Sequence, residues 1–406
     1  MTSLSTTRST CRSCGKDLLP LLDLGSIVPS DFLKPDEADP PRLPLALTIC
    51  EACDLVQLQH TTDPESLYRK YWYLSGVNET MVEELRDIIR TVRTYVDLNP
   101  ADVVVDVGAN DGTLLKAYGD RGALPVRVAF EPALNLFADL RPHCTVLNST
   151  FFPSTISASM QAGSVKVLTS IAMFYDLDDP RAFVAEVDRL LTEDGIWVVQ
   201  FQDLAQMVAA NAYDNIGHEH LCYYSMETFS RLLQDVNLRV VHAEGRKING
   251  GSLRLVVRRK GTGINPSVAL QVMRESWCNT IALERFAVRI GQHRDCLQET
   301  LLQLKDQPID LYAASTKSST LLQYCGFDHQ VIRQAAERSP AKYGRVTSGT
   351  RIPCVPEGEW RGDPAPVTLI GGWQFADYFA EREAEYLSKG GSFLVPLPTP
   401  RFIRGS

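Results

Sequence analysis

The chain of 406 residues has no apolar run of the roughly 18 residues that a transmembrane helix needs, so no membrane association is expected. Its first ten residues also lack an apolar core. Thr2, Ser3, Ser5, Thr6 and Thr7 read as a short disordered tail and not as a signal peptide, which points to the cytoplasm. Positive charge is in deficit: a formal net charge of -8 offers no concentrated basic surface, so nucleic acid is not an expected partner. A local basic patch for a phosphorylated small molecule remains compatible with that charge. Ten cysteines are few for a secreted disulfide scaffold of this size. Two motifs are missing as well: neither the GxGxxG of a dinucleotide binder nor the HExxH of a zinc protease occurs.

What is present is a soluble, globular composition, 44% hydrophobic and 22% charged, in a chain long enough for two or three domains. Residues 1–68 are rich in proline and poor in long periodicity. From Asn78 to about Leu98, Met81, Leu85, Ile88, Ile89, Val92 and Val96 recur at helical spacing. Strands are expected at Val103–Val107, Val126–Phe130, Thr145–Leu147, Val165–Ser170 and Ile196–Phe201. Helices are expected at Ala133–Leu140 and Arg181–Leu191, and later strands at Arg239–Ala243 and Leu253–Arg258. Such βα alternation predicts a parallel sheet covered on both faces. A long helix over 268–304 leads to a second small α/β unit. That unit has strands at Ile309–Ala313, Val367–Ile370 and Ser392–Pro396, and helices at Thr320–Cys325 and Phe375–Leu387.

Four of the cysteines form two knuckles, Cys11-x-x-Cys14 and Cys50-x-x-Cys53, 35 residues apart. Four thiolates satisfy tetrahedral zinc and close it to water, so the reading is a structural Zn²⁺ stapling a module with too small a core of its own. Four reduced thiols or a redox pair are the competing readings.

Asp106-Val107-Gly108-Ala109-Asn110-Asp111-Gly112 follows an apolar strand and opens a helix, where glycine lets backbone approach a ligand. Glu131 closes the next strand about 20 residues on, where a carboxylate suits the two hydroxyls of a ribose. A DxGxxxG turn with such an acid is the usual arrangement for S-adenosylmethionine; a tight structural turn beside an exposed Glu is the bland alternative. Ser149 and Thr150 follow the third strand, toward an adenine, and Ser170 and Met173 follow the fourth, toward a methionine moiety. Plain packing is an equal reading for all four.

The string Asn215-Ile216-Gly217-His218-Glu219-His220-Leu221-Cys222-Tyr223-Tyr224 holds two of the seven histidines, a carboxylate and two tyrosines. A His/Glu pair suits general-base chemistry near neutral pH. Metal binding or an ordinary polar loop are the alternatives. Tyr71, Trp72, Tyr73, Ser75 and Asn78 make an aromatic and polar patch before the first helix. In Asn249–Arg254 a glycine turn enters a strand, where backbone amides suit a substrate oxygen. Ser315-Thr316-Lys317 follows a strand and opens a helix, a setting that favours phosphate, with an N-cap beside a solvated Lys as the alternative.

Taken together, these strings resemble the sugar C-methyltransferases that act on nucleotide-linked 4-keto-6-deoxyhexoses in antibiotic and surface-polysaccharide pathways. The match extends over nearly the whole chain. It is carried by both cysteine pairs, Tyr73-x-Ser75-Gly76-x-Asn78-x-Thr80-Met81, Asp106–Leu115, Met173-Phe174-Tyr175-Asp176-Leu177-x-Asp179-Pro180 and His218–Ser225. Asn249–Arg254, Ala314-Ser315-Thr316-Lys317, Lys342-x-Gly344 and Gly391-x-Phe393-x-Val395-Pro396-x-Pro398 complete it. The resemblance implies an α/β chain with a Rossmann-like class I methyltransferase core, a small N-terminal zinc-binding domain and a C-terminal α/β domain. The boundaries expected are 1–68, 69–265 and 266–406.

The resemblance further implies S-adenosyl-L-methionine as donor and C-methylation next to a ketone through a base-generated enolate. His220 is then the base, Glu219 stands beside it and Tyr73 is an enolate partner. Asp106, Gly108, Asn110, Asp111, Gly112, Glu131, Ser149, Ser170 and Met173 are expected on the cofactor. Asn78, His218, Tyr223, Tyr224, Asn249, Ser315 and Lys317 are expected on a nucleotide sugar, with dTDP the expected carrier, in a monomer or small homo-oligomer. This chain departs from its relatives at Lys317-Ser318-Ser319, where Lys-Gly-Asn is usual, at Gly371-Gly372-Trp373 and at Ser348-Gly349-Thr350-Arg351. It also has no histidine near Phe174. Most departures fall in the C-terminal part, so substrate identity is less constrained than the core chemistry. A different small-molecule substrate is the runner-up, ahead of a nicotinamide-dependent oxidoreductase or a zinc-bearing binding module.

Overall fold

The structure is a computed structural model that describes residues 4–120, 124–261, 280–304 and 306–405. At its centre lies a seven-stranded sheet. Across it the strands run Leu238–Arg246, Ser252–Arg259, Leu191–Gln202, Val165–Ile171, Val103–Val107, Val126–Phe130 and Val146–Asn148. The five from Val103 to Gln202 pair in parallel, while Ser252–Arg259 runs antiparallel to both of its neighbours. Val103–Val107 is nearly all apolar because helices cover both faces of a parallel sheet. Chain order reverses about this strand, which makes its carboxyl end the switch point where open α/β sheets bind ligands. The arrangement is Rossmann-like, as expected.

Helix Glu79–Tyr95 buries Met81, Leu85, Ile88, Ile89 and Val92 against one face of the sheet. It is fastened by fully buried Arg254, whose guanidinium donates to Gln200 Oε1, Glu84 Oε1, Asp87 Oδ2 and Thr91 Oγ1 at 2.7–3.0 Å. Arg254 therefore belongs to the framework. On the opposite face Trp197 packs among Phe174, Phe183 and Phe229, with ring centroids 5.4–5.8 Å apart.

Several expected elements differ. Ala133–Leu140 is not one helix but a 3-10 turn Leu134–Leu136 followed by Phe137–Leu140. Phe375–Leu387 is broken at Glu383 into Ala376–Arg382 and Ala384–Ser388, because that carboxylate turns inward to Tyr312 and Arg361. The strand after helix Pro180–Leu190 starts at once, at Leu191. The tail is not wholly disordered: Ser5–Thr7 pairs antiparallel with His60–Thr62. Of the long helix expected over 268–304, Thr280–Leu302 is seen, and the rest, with the 265/266 boundary, lies outside the described residues.

The N-terminal segment is an antiparallel sheet of Leu18–Ile27, Leu43–Cys50 and Val56–Leu58, so the long gap between cysteine pairs is mostly a paired ribbon. A fourth strand, Cys222–Tyr223, comes from the His-Glu-His region and pairs with Val56–Gln57. Phe32–Leu33 pairs with Val346–Thr347 of the C-terminal part. That part is a six-stranded sheet built on Ile309–Tyr312, with Thr316–Cys325 as the helix following it. The N-terminal module thus touches both larger units.

Candidate active site

Apart from the cysteine knuckles, the segments singled out for donor binding and chemistry converge on one cavity of about 610 Å³, within the range of small-molecule sites. Its floor is the switch point of the sheet. Gly108 adopts φ +71°, a conformation that favours glycine, and a Cβ there would come within 3.1 Å of the Met173 side chain, which would have to give way. Gly112, at φ +80°, starts helix Thr113–Ala117 and faces Leu140 and His143. It is a packing position and does not line the cavity.

Glu131 accepts Asn110 N–H at 2.7 Å and Ala133 N–H at 2.8 Å, one on each carboxylate oxygen. Burial nonetheless pushes its pKa up, against the pull of those two bonds. Asp106 accepts the Thr169 hydroxyl at 2.6 Å and is pushed by burial up to about 7. Two carboxylates with lone pairs to spare, beside a backbone bend that favours glycine at Gly108, match an adenosyl group with its ribose hydroxyls; the residues fit the donor. The side chains of Asn110 and Asp111 are engaged elsewhere. Asn110 Oδ1 accepts Ser75 N–H and its Nδ2 donates to Tyr73 O, both at 3.0 Å, while Asp111 accepts Gly76 N–H at 2.6 Å.

His220 and Glu219 face the same space. His220 Nδ1 lies 2.6 Å from Asn215 O, and since a carbonyl only accepts, Nδ1 carries the hydrogen and Nε2 the lone pair. Burial, reinforced by the Lys317 charge, lowers its pKa to about 4, so the imidazole is neutral at pH 7. The ring stands edge-on to Tyr175 at 4.7 Å. Burial moves Glu219 the other way, up to about 7, opposed by the polar influence of the Tyr71 phenol. His218, also lowered to about 4 by burial, donates from Nε2 to Leu43 O at 3.3 Å. Tyr73, Met173, Asn249 and Ser315 line the cavity as well.

Lys317 is not a solvated lysine at an open helix end. Its ammonium is buried, with the pKa lowered by that burial against the pull of Asp214, and it donates to Asn249 O at 2.7 Å. Asn249 takes φ +56° to present that carbonyl. Ser315 Oγ caps Ser318 N–H, so its hydroxyl is committed to the helix.

Other expected positions sit off the cavity wall. Asn78 caps helix Glu79–Tyr95 through Thr80 N–H. Ser170 Oγ, fully buried, accepts Trp197 Nε1–H at 2.8 Å, and Ser149 offers its carbonyl to Arg69. Tyr224 packs against Phe174 and Phe201 at 5.2 and 5.5 Å, and Tyr223 is buried in the strand joined to Val56. Conversely, Tyr68, Asp176, Asp178, Gln374 and Phe375 line the cavity without having been expected there as site residues. Tyr68, Gln374 and Phe375 arrive on segments from outside the core sheet, while Asp176 and Asp178 follow the core strand Val165–Ile171 within or beside the Met173–Pro180 string.

In the N-terminal module the four sulfurs of Cys11, Cys14, Cys50 and Cys53 lie within 4.8 Å of one another, the nearest pairs at 3.4 and 3.6 Å. Tetrahedral Zn–S bonds of about 2.3 Å place sulfurs about 3.8 Å apart, so the donor set fits that metal. Gln57 Nε2–H and Ser13 N–H both donate to Cys11 Sγ, at 3.2 and 3.3 Å, as bonds to a metal-bound thiolate would.

Three family models match in succession: "Putative zinc binding domain" over 11–68, "Methyltransferase domain" over 77–243 and "C-methyltransferase C-terminal domain" over 247–398. The C-methyltransferase NovU of Streptomyces niveus is 28% identical over 97% of this chain and 96% of its own. Among solved structures, PH0226 from Pyrococcus horikoshii OT3 covers 46% of this chain and 95% of its own at 13% identity and a TM-score of 0.37. A Haloferax volcanii complex of the Trm112 methyltransferase activator with its methyltransferase matches over 45% of this chain and 95% of its own, at 15% identity and a TM-score of 0.36.

Proposed function

Because the chain belongs to the S-adenosylmethionine-dependent C-methyltransferases, we propose that it methylates the carbon next to the ketone of a 4-keto-6-deoxy sugar carried on a nucleotide, dTDP being the expected carrier. The observation that carries this reading is that one cavity joins the Gly108 bend and Glu131 to the His218-Glu219-His220 string.

S-adenosylmethionine, when bound, supplies an electrophilic methyl group; the rest falls to the chain. Residues around Gly108, with Glu131 and Met173, hold the donor. A ketone acidifies its neighbouring C–H, and His220 Nε2, neutral and bearing a lone pair, takes that proton. The electrons of the broken bond move into the new carbon–carbon double bond, and negative charge gathers on the ketone oxygen. Lys317 and the Tyr73 hydroxyl, both on the cavity wall, serve that oxygen as donors where the charge develops. Supporting the assignment of Lys317 are its burial beside His220 and its hold on Asn249. It is the only lysine or arginine lining the cavity among the described residues. This replaces the phosphate contact suggested by its position at a helix start. Glu219, once ionised, favours the imidazolium that forms. Four-cysteine zinc would have a structural role, having no open coordination position.

The test is incubation with S-adenosylmethionine and a panel of 4-keto-6-deoxy nucleotide sugars in deuterated buffer. Expected are deuterium uptake next to the ketone and a mass gain of one methyl. His220→Asn abolishes both while S-adenosylhomocysteine affinity stays within a few fold. Calorimetry showing no binding of either adenosyl compound refutes the reading outright.

A further inference from the structure

Residues 69–76 form a strap across the carboxyl ends of three core strands, stitched to each. Arg69 donates to Pro132 O and Ser149 O at 3.3 and 3.0 Å. At the other end Tyr73, Ser75 and Gly76 bond the side chains of Asn110 and Asp111 in the donor turn. Midway, Asn135 grips Tyr71 by both backbone polar groups: Tyr71 N–H donates to Asn135 Oδ1 and Asn135 Nδ2–H donates to Tyr71 O, each at 2.9 Å. The inner face of this segment reaches the chemical loop. Tyr71 and Glu219 line the same cavity, where the Tyr71 phenol favours the charged form of the Glu219 carboxyl, and neighbouring Tyr68 Oη donates to Glu219 O at 2.9 Å.

We propose that Asn135 is a positioning residue for the reaction. By fixing Tyr71 in the strap it sets that phenol against Glu219, beside His220, and keeps the strap closed over the donor cavity. The inference rests on His220 and Glu219 being the chemical centre. Asn135 itself is exposed, at a short 3-10 turn, and touches neither group. An amide is suited to the task because it offers one acceptor and one donor at fixed separation, the complement of a single residue's N–H and C=O. Without it the strap keeps its two ends and the Trp72 anchor, whose Nε1–H donates to Asp31 Oδ1 at 2.6 Å, but Tyr71 loses both of its backbone clamps. Tyr71 then shifts away from Glu219, and the carboxyl loses a neighbour that favours its charged form.

The experiment compares Asn135→Ala and Tyr71→Phe with the wild type. For Asn135→Ala the expectation is a fall in kcat of about tenfold, from one lost polar neighbour of a charged group. Its rate–pH inflection near 7 should move upward, its S-adenosylhomocysteine Kd should rise several-fold by calorimetry, and its Tm should shift by no more than about 2 °C. Tyr71→Phe should reproduce the pH displacement while leaving that Kd unchanged, since its backbone clamp survives. Asn135→Ala with kcat and Kd within twofold of wild type overturns the proposal, and so does a loss of rate with the pH inflection unmoved. Were the wild type inert toward every keto sugar, the reading of the reaction would fall, yet the Kd comparison would still decide the clamp: a several-fold rise supports it and parity overturns it.

Discussion

Arg12 sits inside the first cysteine knuckle, yet its side chain points away from the sulfurs into the seam with the core. It is fully buried and donates to Leu58 O at 2.6 Å, Thr61 Oγ1 at 2.7 Å, Asp178 Oδ1 at 3.1 Å and Gln57 Oε1 at 3.3 Å. Thr61 and Asp178 line the cavity, so this one side chain ties the cysteine module to the site wall. Arg12→Met keeps much of the stem's packing and removes the bonds. Gln57 Oε1 keeps its bond from Arg12 N–H, and Thr61 keeps its bond to Asp178. Leu58 O loses a strong donor in a buried place, costing about 1–3 kcal/mol. Asp178 is half exposed and retains Arg8, so its share is under about 1 kcal/mol. No longer keeping a guanidinium out of water offsets part of the sum, leaving about 1–3 kcal/mol. That difference should speed local opening about 5- to 150-fold. Hydrogen–deuterium exchange at the Cys11 and Leu58 amides, which donate to Lys16 O and Leu221 O, reads it directly. Acceleration of less than threefold would refute the reasoning.

Other outcomes are expected with it. Cys50→Ser, or chelation of the wild type, should unfold the N-terminal sheet as seen by circular dichroism and proteolysis, and metal analysis of the intact protein should find about one zinc per chain. Glu131→Gln should raise the S-adenosylhomocysteine Kd by about 10- to 100-fold in calorimetry, the worth of a hydrogen bond to a charged group; an unchanged value would move the ribose elsewhere. The kcat profile should rise through pH 7 as Glu219 ionises, and Glu219→Gln should lose that inflection. Because the folded pKa of Glu219 lies above its unfolded value, its contribution to stability falls as pH rises from about 4.5 to 7. Glu219→Gln should therefore match the wild type in chemical denaturation at pH 4 and exceed it by roughly 3 kcal/mol at pH 8.

Much of the architecture was legible before any coordinates. Strands such as Val103–Val107 declare themselves because a sheet covered on both faces tolerates little but apolar side chains, and the helix beginning at Glu79 shows its buried face at every third or fourth position. Paired cysteines, the glycine bend and the His-Glu-His string were equally visible, since each packs its chemistry into a few consecutive residues. Boundaries fared worse where a single inward group decides them. Glu383 breaks a helix that periodicity alone would carry through.

Local order along the chain is therefore enough to determine the element types, the Rossmann-like core, the cysteine cluster and the candidate base. Only tertiary structure decided what each polar group in those motifs does, because hydrogen-bond partners come from distant segments. Asn110 and Asp111, neighbours of the donor bend, spend their side chains on the strap. Lys317 turns from its helix end to Asn249. Tyr224 is drawn into an aromatic core, while Tyr68, silent in the sequence, arrives at the cavity. Spacing encodes which face a residue occupies, whereas burial and partners depend on what the rest of the chain brings to that face.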